Sequence, residues 1–265
     1  MRMMSIASGS SGNCIYIGTD NTHILIDDGI SKKKVLEGLA RLELTAEDID
    51  AVLVTHEHDD HIKGLGVFER HCMTPIYGTA GVMRCIASNR ALGAMPEGIY
   101  HTVEAGGSFC IKDMKIRTVP VSHDAVDPVA YIVTSGQKSA GVITDLGEYT
   151  ENIVSEFSDL DTMLVESNHD INMLMTGPYP YPLKQRILGS SGHLSNEACG
   201  RLLCEILNDR VEHILLGHLS KENNFPDLAY ETVRMEINMG DNRFKAEDFD
   251  IRVARRDVPS DIITF

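Results

Sequence analysis

Short apolar runs recur along the chain, most of them closed by a glycine, an asparagine or a charged residue. Alternation and β-branched content predict strands at Met3–Ala7, Cys14–Gly18 and His23–Ile26, joined by Gly- and Asn-rich turns. The spacing from Ser31 to Leu42 predicts a helix with Ser31 as its N-cap. Thr45-Ala46-Glu47-Asp48 reads as a short capped turn, and Ala51-Val52-Leu53-Val54 as a buried strand. A helix over Lys63–His71, a strand over Pro75–Tyr77 and a helix over Ala80–Ala91 follow. A second set of strands covers Ser108–Ile111, Lys115–Val121, Val129–Thr134 and Ser139–Thr144. Next come a helix at Glu151–Phe157, a strand at Thr162–Val165, and helices at Ile171–Met175 and Leu183–Ile187. Ser195 caps a helix running to Asn208, and a strand at His213–Leu216, a helix at Leu228–Asn238 and a strand at Phe249–Val253 complete the pattern. Each half has several strands followed by helices, which suits two sheets packed face to face with helices outside. Pattern alone says α/β or α+β.

With 265 residues the chain has length for one or two domains, and the absence of any linker or low-complexity tract favours a single domain over 1–265. A hydrophobic fraction of 43% fits a soluble globular enzyme, and no apolar run reaches the length of a membrane span. The opening Met1-Arg2-Met3-Met4-Ser5-Ile6-Ala7 is too soon broken by Ser8-Gly9 for a secretory signal. Six cysteines are scattered without a C-x-x-C pair, which argues against a disulfide framework and a cysteine zinc site and makes the cytoplasm the default location. A net charge of −15 argues against a general electrostatic grip on nucleic acid. Bound divalent metals or a local basic patch would change that balance.

The candidate chemistry starts where the Ala51–Val54 run ends. Thr55-His56-Glu57-His58-Asp59-Asp60-His61 packs three histidines and two aspartates into six positions, with Gly64 and Gly66 just beyond. On an extended segment His56 and His58 face the same way and can share one ion. Asp60 and His61 fall in the following turn and suit a second ion close by. Imidazole and carboxylate donors accept zinc, manganese or iron. The plainer alternative is a polar loop whose histidines cap a helix. Four further residues also terminate apolar strands: Asp27, His123, Asp145 and His218. Strand ends at one edge of a sandwich converge on one cleft.

The H-x-H-x-D-H spacing resembles the signature of the metallo-β-lactamase-fold hydrolases. That resemblance implies a four-layer αββα sandwich. It implies one ion on His56, His58 and His123, a second on Asp60, His61 and His218, and Asp145 bridging them. Asp27 would accept a hydrogen bond from a ligand imidazole. Two ions about 3.5–4 Å apart share a water and lower its pKa, so the expected nucleophile is a metal-bridging hydroxide.

The C-terminal half narrows the branch. Val165-Glu166-Ser167-Asn168-His169, then Gly192-His193-Leu194-Ser195, then Gly217-His218 resembles the RNase Z order. There an extra histidine, oriented by a carboxylate, protonates the leaving oxygen; carried over, these are His193 and Glu166, which join Asp60 as the catalytic set. His193 as a mere helix cap beside Ser195 is the alternative. Over nearly its whole length the chain is similar to the YycJ/WalJ group, through Ala7-Ser8-Gly9-Ser10-Ser11-Gly12-Asn13-Cys14, Lys63-Gly64 and Leu183-Lys184-Gln185-Arg186-Ile187. The similarity implies a nuclease, with 5′-to-3′ exonuclease action on DNA ends the favoured activity. No inserted β-CASP domain and no long Gly/Pro-rich arm are present, which separates the chain from the RNase J and tRNA-processing groups.

Substrate contacts are sought in two loops. Ser10, Ser11 and Asn13 form a candidate phosphate cradle, with an ordinary tight turn as the alternative. Tyr179, Lys184 and Arg186 set an aromatic beside cations, and a rigid proline-rich connector is the alternative. Lys32-Lys33-Lys34 reads as a solvated helix face. Two rivals to the phosphodiesterase reading remain: a thioester or lactone hydrolase of the glyoxalase II kind, and a non-catalytic metal-dependent regulatory module. The sequence says nothing of oligomeric state.

Overall fold

Most strands are buried on both faces, which is why their sequences read as continuous apolar runs. The computed structural model describes residues 1–265. Strands β1 (Arg2–Ala7), β2 (Cys14–Gly18), β3 (His23–Ile26), β4 (Ala51–Leu53), β5 (Ile76–Thr79) and β6 (Tyr100–Val103) lie side by side in chain order. A second sheet holds β7 (Ser108–Ile111), β8 (Met114–Pro120), β9 (Val129–Ser135), β10 (Lys138–Ile143), β11 (Thr162–Glu166), β12 (His213–Gly217) and β13 (Asp250–Val253), again in order. The final strand, β14 (Ile263–Thr264), returns to the first sheet and pairs antiparallel with β1.

Period-two alternation sorts each strand between two cores. Ile15, Ile17, Ile24, Ile26, Ala51 and Leu53 face the other sheet and meet Tyr131, Val133, Ala140, Val142, Leu164 and Leu215 there. Their neighbours Tyr16, Leu25 and Val52 face outward. They are covered by α1 (Lys32–Arg41), α3 (Leu65–Cys72) and α4 (Ala80–Ser88), with the short α2 (Asp59–Ile62) leading into α3. The second sheet's outer face, through Ile143, Met163, Val165, Ile214 and Leu216, packs on α5 (Glu151–Phe157), α8 (Asn196–Ile206) and α9 (Pro226–Met239). Helices α6 (Ile171–Thr176) and α7 (Tyr181–Leu188) fill the connection from β11 to α8. The layers are therefore helix, sheet, sheet, helix. Each fully buried aliphatic side chain in these cores stabilises the sandwich by about 1.5–3 kcal/mol.

Local signals account for the element boundaries. Ser31 Oγ accepts the Lys34 N–H, and Ser195 Oγ the Ala198 N–H, as N-caps should. The expected Lys63–His71 helix instead begins at Asp59 and is interrupted at Gly64. A Cβ on Gly64 would come within 2.1 Å of the Ile30 carbonyl oxygen, so the chain can cross there only without a side chain. The expected Ala80–Ala91 helix stops at Ser88, and a 3₁₀ turn follows. Strands β6 and β14 were not foreseen: β6 is half-exposed without alternation, and β14 has two residues. No helix is long and apolar enough to cross a membrane.

The direction of the strands positions the site. β3 and β4 run parallel, as do β10, β11 and β12. Asp27, Thr55, Thr144, Glu166 and His218 thus all follow carboxyl ends of parallel strands, the usual place for a cleft in such sheets.

Two acids lie outside that cleft. Asp28 and Glu69 are buried without a cationic partner, and burial pushes each up to about 8 despite backbone N–H groups at Ile30 and Thr74. Both folded values exceed the unfolded ones of roughly 4, so the folded state binds more protons between those limits. Their contribution is present below about pH 4 and is lost as pH rises through about 8. Urea titrations of Asp28→Asn and Glu69→Gln from pH 5 to 9 should show a flatter fall of stability with pH than the unaltered protein. Identical slopes would mean that these carboxyls ionise normally.

Candidate metal centre

Asp27 fixes the first half of the centre. Its carboxylate accepts the Thr55 N–H (2.8 Å) and the Thr55 hydroxyl (2.9 Å), locking the ends of β3 and β4 together. Its Oδ2 also accepts from His61 Nδ1 at 2.7 Å. That bond sets the tautomer of His61 and turns Nε2 inward, 3.0 Å from Asp145 Oδ2. The chain enters the H-x-H segment at once, so the rings of His56 and His58 lie 4.7 Å apart.

The second sheet completes the ring of donors. His123 Nδ1 lies 3.0 Å from the Gly192 carbonyl oxygen, and its ring is 5.0 Å from His56 and 5.1 Å from His58. Glu166 is fully buried, and one of its oxygens lies 2.8 Å from both His193 Nδ1 and His218 Nδ1. Its other oxygen accepts the Leu146 and Leu194 N–H groups. The Ser8 hydroxyl accepts the His218 N–H at 2.8 Å, and Asn168 Nδ2 donates to the His218 carbonyl. Asp27, Asp145 and His218 all have left-handed backbones, with φ of 61°, 57° and 56°. Three non-glycine residues in that region at one site mark a place where geometry is held against local preference.

The donor atoms gather in the groups expected from the sequence. His56, His58 and His123 form one cluster, Asp60, His61 and His218 another, and Asp145 lies with His56 and His61; a fourth, of Asp145, Glu166, His193 and His218, was not expected. Within each cluster the donors are within 4.8 Å of one another. Three features fit a bound cation. His56 Nε2 is buried without a hydrogen-bond partner, and Asp145 Oδ2 is buried with only the His61 ring nitrogen beside it. His58 Nδ1 and His123 Nε2 face each other at 3.3 Å, close enough to share one ion when both nitrogens are unprotonated. The donors are nitrogen and oxygen, which suit zinc, manganese or iron.

Protons compete for the same atoms. Burial would lower His218, but Asp145 and the hydrogen bonds to Asp60 and Glu166 outweigh it and push the ring to about 10. His61 is likewise raised by Asp145, Asp27 and Asp60 in spite of burial, whereas burial dominates at His56 and lowers it. At His193 burial opposes protonation but Glu166 prevails, so the ring sits above the ordinary imidazole range. Glu166, buried yet facing these two rings, is held down at about 2.

The candidate substrate residues fare unevenly. Ser10 and Ser11 are exposed at the tip of their loop, and Lys63 Nζ caps the Ser11 carbonyl at 2.6 Å. Asn13, by contrast, is fully buried: its side chain bonds Gly9 in both directions and lies 3.1 Å from His61 Nε2. It braces the centre and is not open to a ligand. Lys184 must also be reassigned. Its Nζ donates to the Met175 and Gly177 carbonyls from a buried position, so it ties α7 to the Gly-Pro loop and holds no substrate. Arg186 is exposed and pairs with Asp124, next to His123, on the rim of the centre; Tyr179 is half-buried. Thr55, Ser8, Asn168 and the Gly192 carbonyl were missed, because a hydroxyl, an amide or a peptide oxygen carries no sequence signature of its own.

A model described as a beta-lactamase superfamily domain matches residues 22–218. The chain belongs to the beta-lactamase superfamily. Within it, the chain is 39% identical over 236 residues to exodeoxyribonuclease WalJ of Streptococcus pneumoniae, spanning 89% of this chain and 88% of that protein. It is 36% identical over 228 residues to exodeoxyribonuclease YycJ of Bacillus anthracis, spanning 86% of each. The sandwich superposes on zinc-bound PqqB from Methylobacterium extorquens with a TM-score of 0.73, at 14% identity, over 98% of this chain and 100% of that one. The αββα architecture is therefore that of this superfamily.

Removing Asp27 should weaken metal without emptying the site, since the orientation of His61 and the tie to Thr55 are lost but no donor to the ions is. Asp27→Ala is expected to lower metal affinity by about 10–100-fold, measured by competition with a chelating dye. Asp145→Ala should lower it further, and affinity should rise with pH as His61 and His218 shed protons. Normal metal content in Asp145→Ala would overturn the ligand assignment.

Proposed function

We propose that this superfamily member is a metal-dependent exonuclease that cleaves phosphodiesters at DNA ends, with two divalent ions held by His56, His58, Asp60, His61, His123, Asp145 and His218. The observation that carries this reading is the buried Glu166 carboxylate shared by His193 and His218. It sets the His193 ring against the centre, outside the His56–His58–His123 and Asp60–His61–His218 groups although within reach of Asp145 and His218. The likeness to exodeoxyribonucleases WalJ and YycJ supports DNA as the polymer.

Ions so bound would supply Lewis acidity and a water of lowered pKa. The protein's own residues do the rest. Asp27 and Glu166 hold the rings of His61, His193 and His218 by their Nδ1 atoms. This leaves Nε2 of His193 to present a proton to the departing sugar oxygen as its bond to phosphorus breaks. Asp60 and Asp145 supply fixed negative charge that keeps the donor set selective for cations. A sugar alkoxide needs that proton, whereas p-nitrophenolate and a thiolate do not. A thioesterase would have no use for the Glu166–His193 pair.

His193→Ala should therefore lose about 10²–10⁴-fold on DNA and much less on bis(p-nitrophenyl) phosphate, with metal retained. Equal losses on both substrates would reduce His193 to a positioning role, and loss of metal would make it a ligand. Glu166→Gln should combine the DNA-selective loss with a weaker grip on the His218 ion. Turnover of acyl thioesters but not of DNA would overturn the reading.

A further inference from the structure

A pocket of about 170 Å³ opens beside His218, walled by Ser8, Leu219, Lys221, Phe225, Arg255 and Arg256 among others. Three of its lining residues are cations and none is an acid, in a chain whose net charge is −15. The contrast with the larger groove on the outer face of β8 and β9, about 890 Å³, is informative. There Arg117 pairs with Glu156, Lys138 with Asp161, and Arg210 with Asp159 and Asp161, so of its four cations only Lys115 is left without a partner. In the smaller pocket no cation makes a direct ion pair, although the Asp257 carboxylate lies within electrostatic reach of Arg256 and Lys221. Arg256 is held by one hydrogen bond, from Nη2 to the Leu219 carbonyl at 2.9 Å, and its Nε is buried without a partner. The nearby Asp257 is engaged by Lys34 at 2.7 Å. Phe225 stands at the mouth, 49% exposed, at the N-cap of α9, whose first turn no side chain caps.

The pocket is joined to the metal centre through the backbone. The Ser8 N–H donates to the Arg255 carbonyl at 3.1 Å, and the Ser8 hydroxyl accepts the His218 N–H at 2.8 Å. One residue thus bridges the pocket wall and a donor of the centre. Exposed aromatic beside unpaired cations is the arrangement that holds single strands, with bases on the ring and phosphates on the charges. Resting on the nuclease reading above, we infer that this pocket binds the unpaired nucleotide flanking the scissile phosphodiester, its base on Phe225 and its phosphate on Lys221, Arg255 and Arg256. It would lead one DNA strand to the metals.

The test uses the metal-loaded protein and a fluorescent single-stranded dodecamer with phosphorothioate links, read by anisotropy over a salt series, with hydrolysis of ordinary DNA measured alongside. Phe225→Ala should weaken binding about 5–150-fold, from the loss of one stacked base, and Phe225→Tyr should restore it. Lys221→Gln combined with Arg255→Gln should make the dependence of log K on log salt shallower by about 1.4, two phosphate contacts at roughly 0.7 each. Arg243→Gln, which removes one charge elsewhere on the surface, serves as the control and should leave the slope alone. Unfolding midpoints and metal content report whether each variant is intact. DNA hydrolysis by the unaltered protein, with dodecamer binding undiminished in both the Phe225→Ala and the double variant, would overturn the pocket and leave the nuclease reading standing. An unaltered protein that neither binds nor cuts DNA would overturn both.

Discussion

The buried Glu166 carboxylate is the constraint on which the second half of the centre depends. A charged carboxylate with no exposure is costly unless every lone pair is engaged. Here four donors engage it: two ring nitrogens and two backbone N–H groups, from segments that follow β10, β12 and α7. Each donor belongs to a different part of the chain or a different function. The carboxylate therefore cannot be satisfied unless the β10 turn, the His193 loop and the end of β12 all occupy their native places. Asp27 does the same work in the first sheet with Thr55 and His61. Two buried acids, one per sheet, thus convert strand ends into fixed ring orientations.

Much of this was legible in the sequence, for a physical reason. Metal donors belong to few residue types, and strand ends announce themselves by the close of an apolar run. His56, His58, His123, Asp145 and His218 are visible on those grounds, and the structure brings them together. The double role of Glu166 was only half visible: its link to His193 was expected, whereas its link to His218 spans 52 residues and depends on β11 and β12 being neighbours. Lys184 and Asn13 failed for the converse reason. A lysine beside tyrosines and an asparagine in a glycine loop resemble ligand contacts, but burial decides their use, and burial is a property of the packed chain. The basic pocket was invisible because Lys221 and Phe225 in the β12–α9 loop meet Arg256 only through the fold, with no shared period.

The missed strands carry the same lesson. β6 has no apolar alternation and is recruited by its neighbour β5. β14 is too short to declare itself and exists because β1 offers an unpaired edge. Tertiary pairing overrides local pattern in both.

The donors are divided between the sheets: Asp27, His56, His58, Asp60 and His61 come from the first, and His123, Asp145, Glu166, His193 and His218 from the second. Neither sheet alone carries the His56–His58–His123 group or the Asp60–His61–His218 group. The centre consequently behaves as a vernier. A slip of one sheet against the other by a fraction of a strand repeat would misalign both clusters at once, though His61, His193 and His218 stayed braced by Asp27 and Glu166. Competence is in that sense a property of the seam, and the apolar layer around Tyr131 and Leu215 that sets the spacing of the two sheets acts as the calibration of the chemistry at their edge.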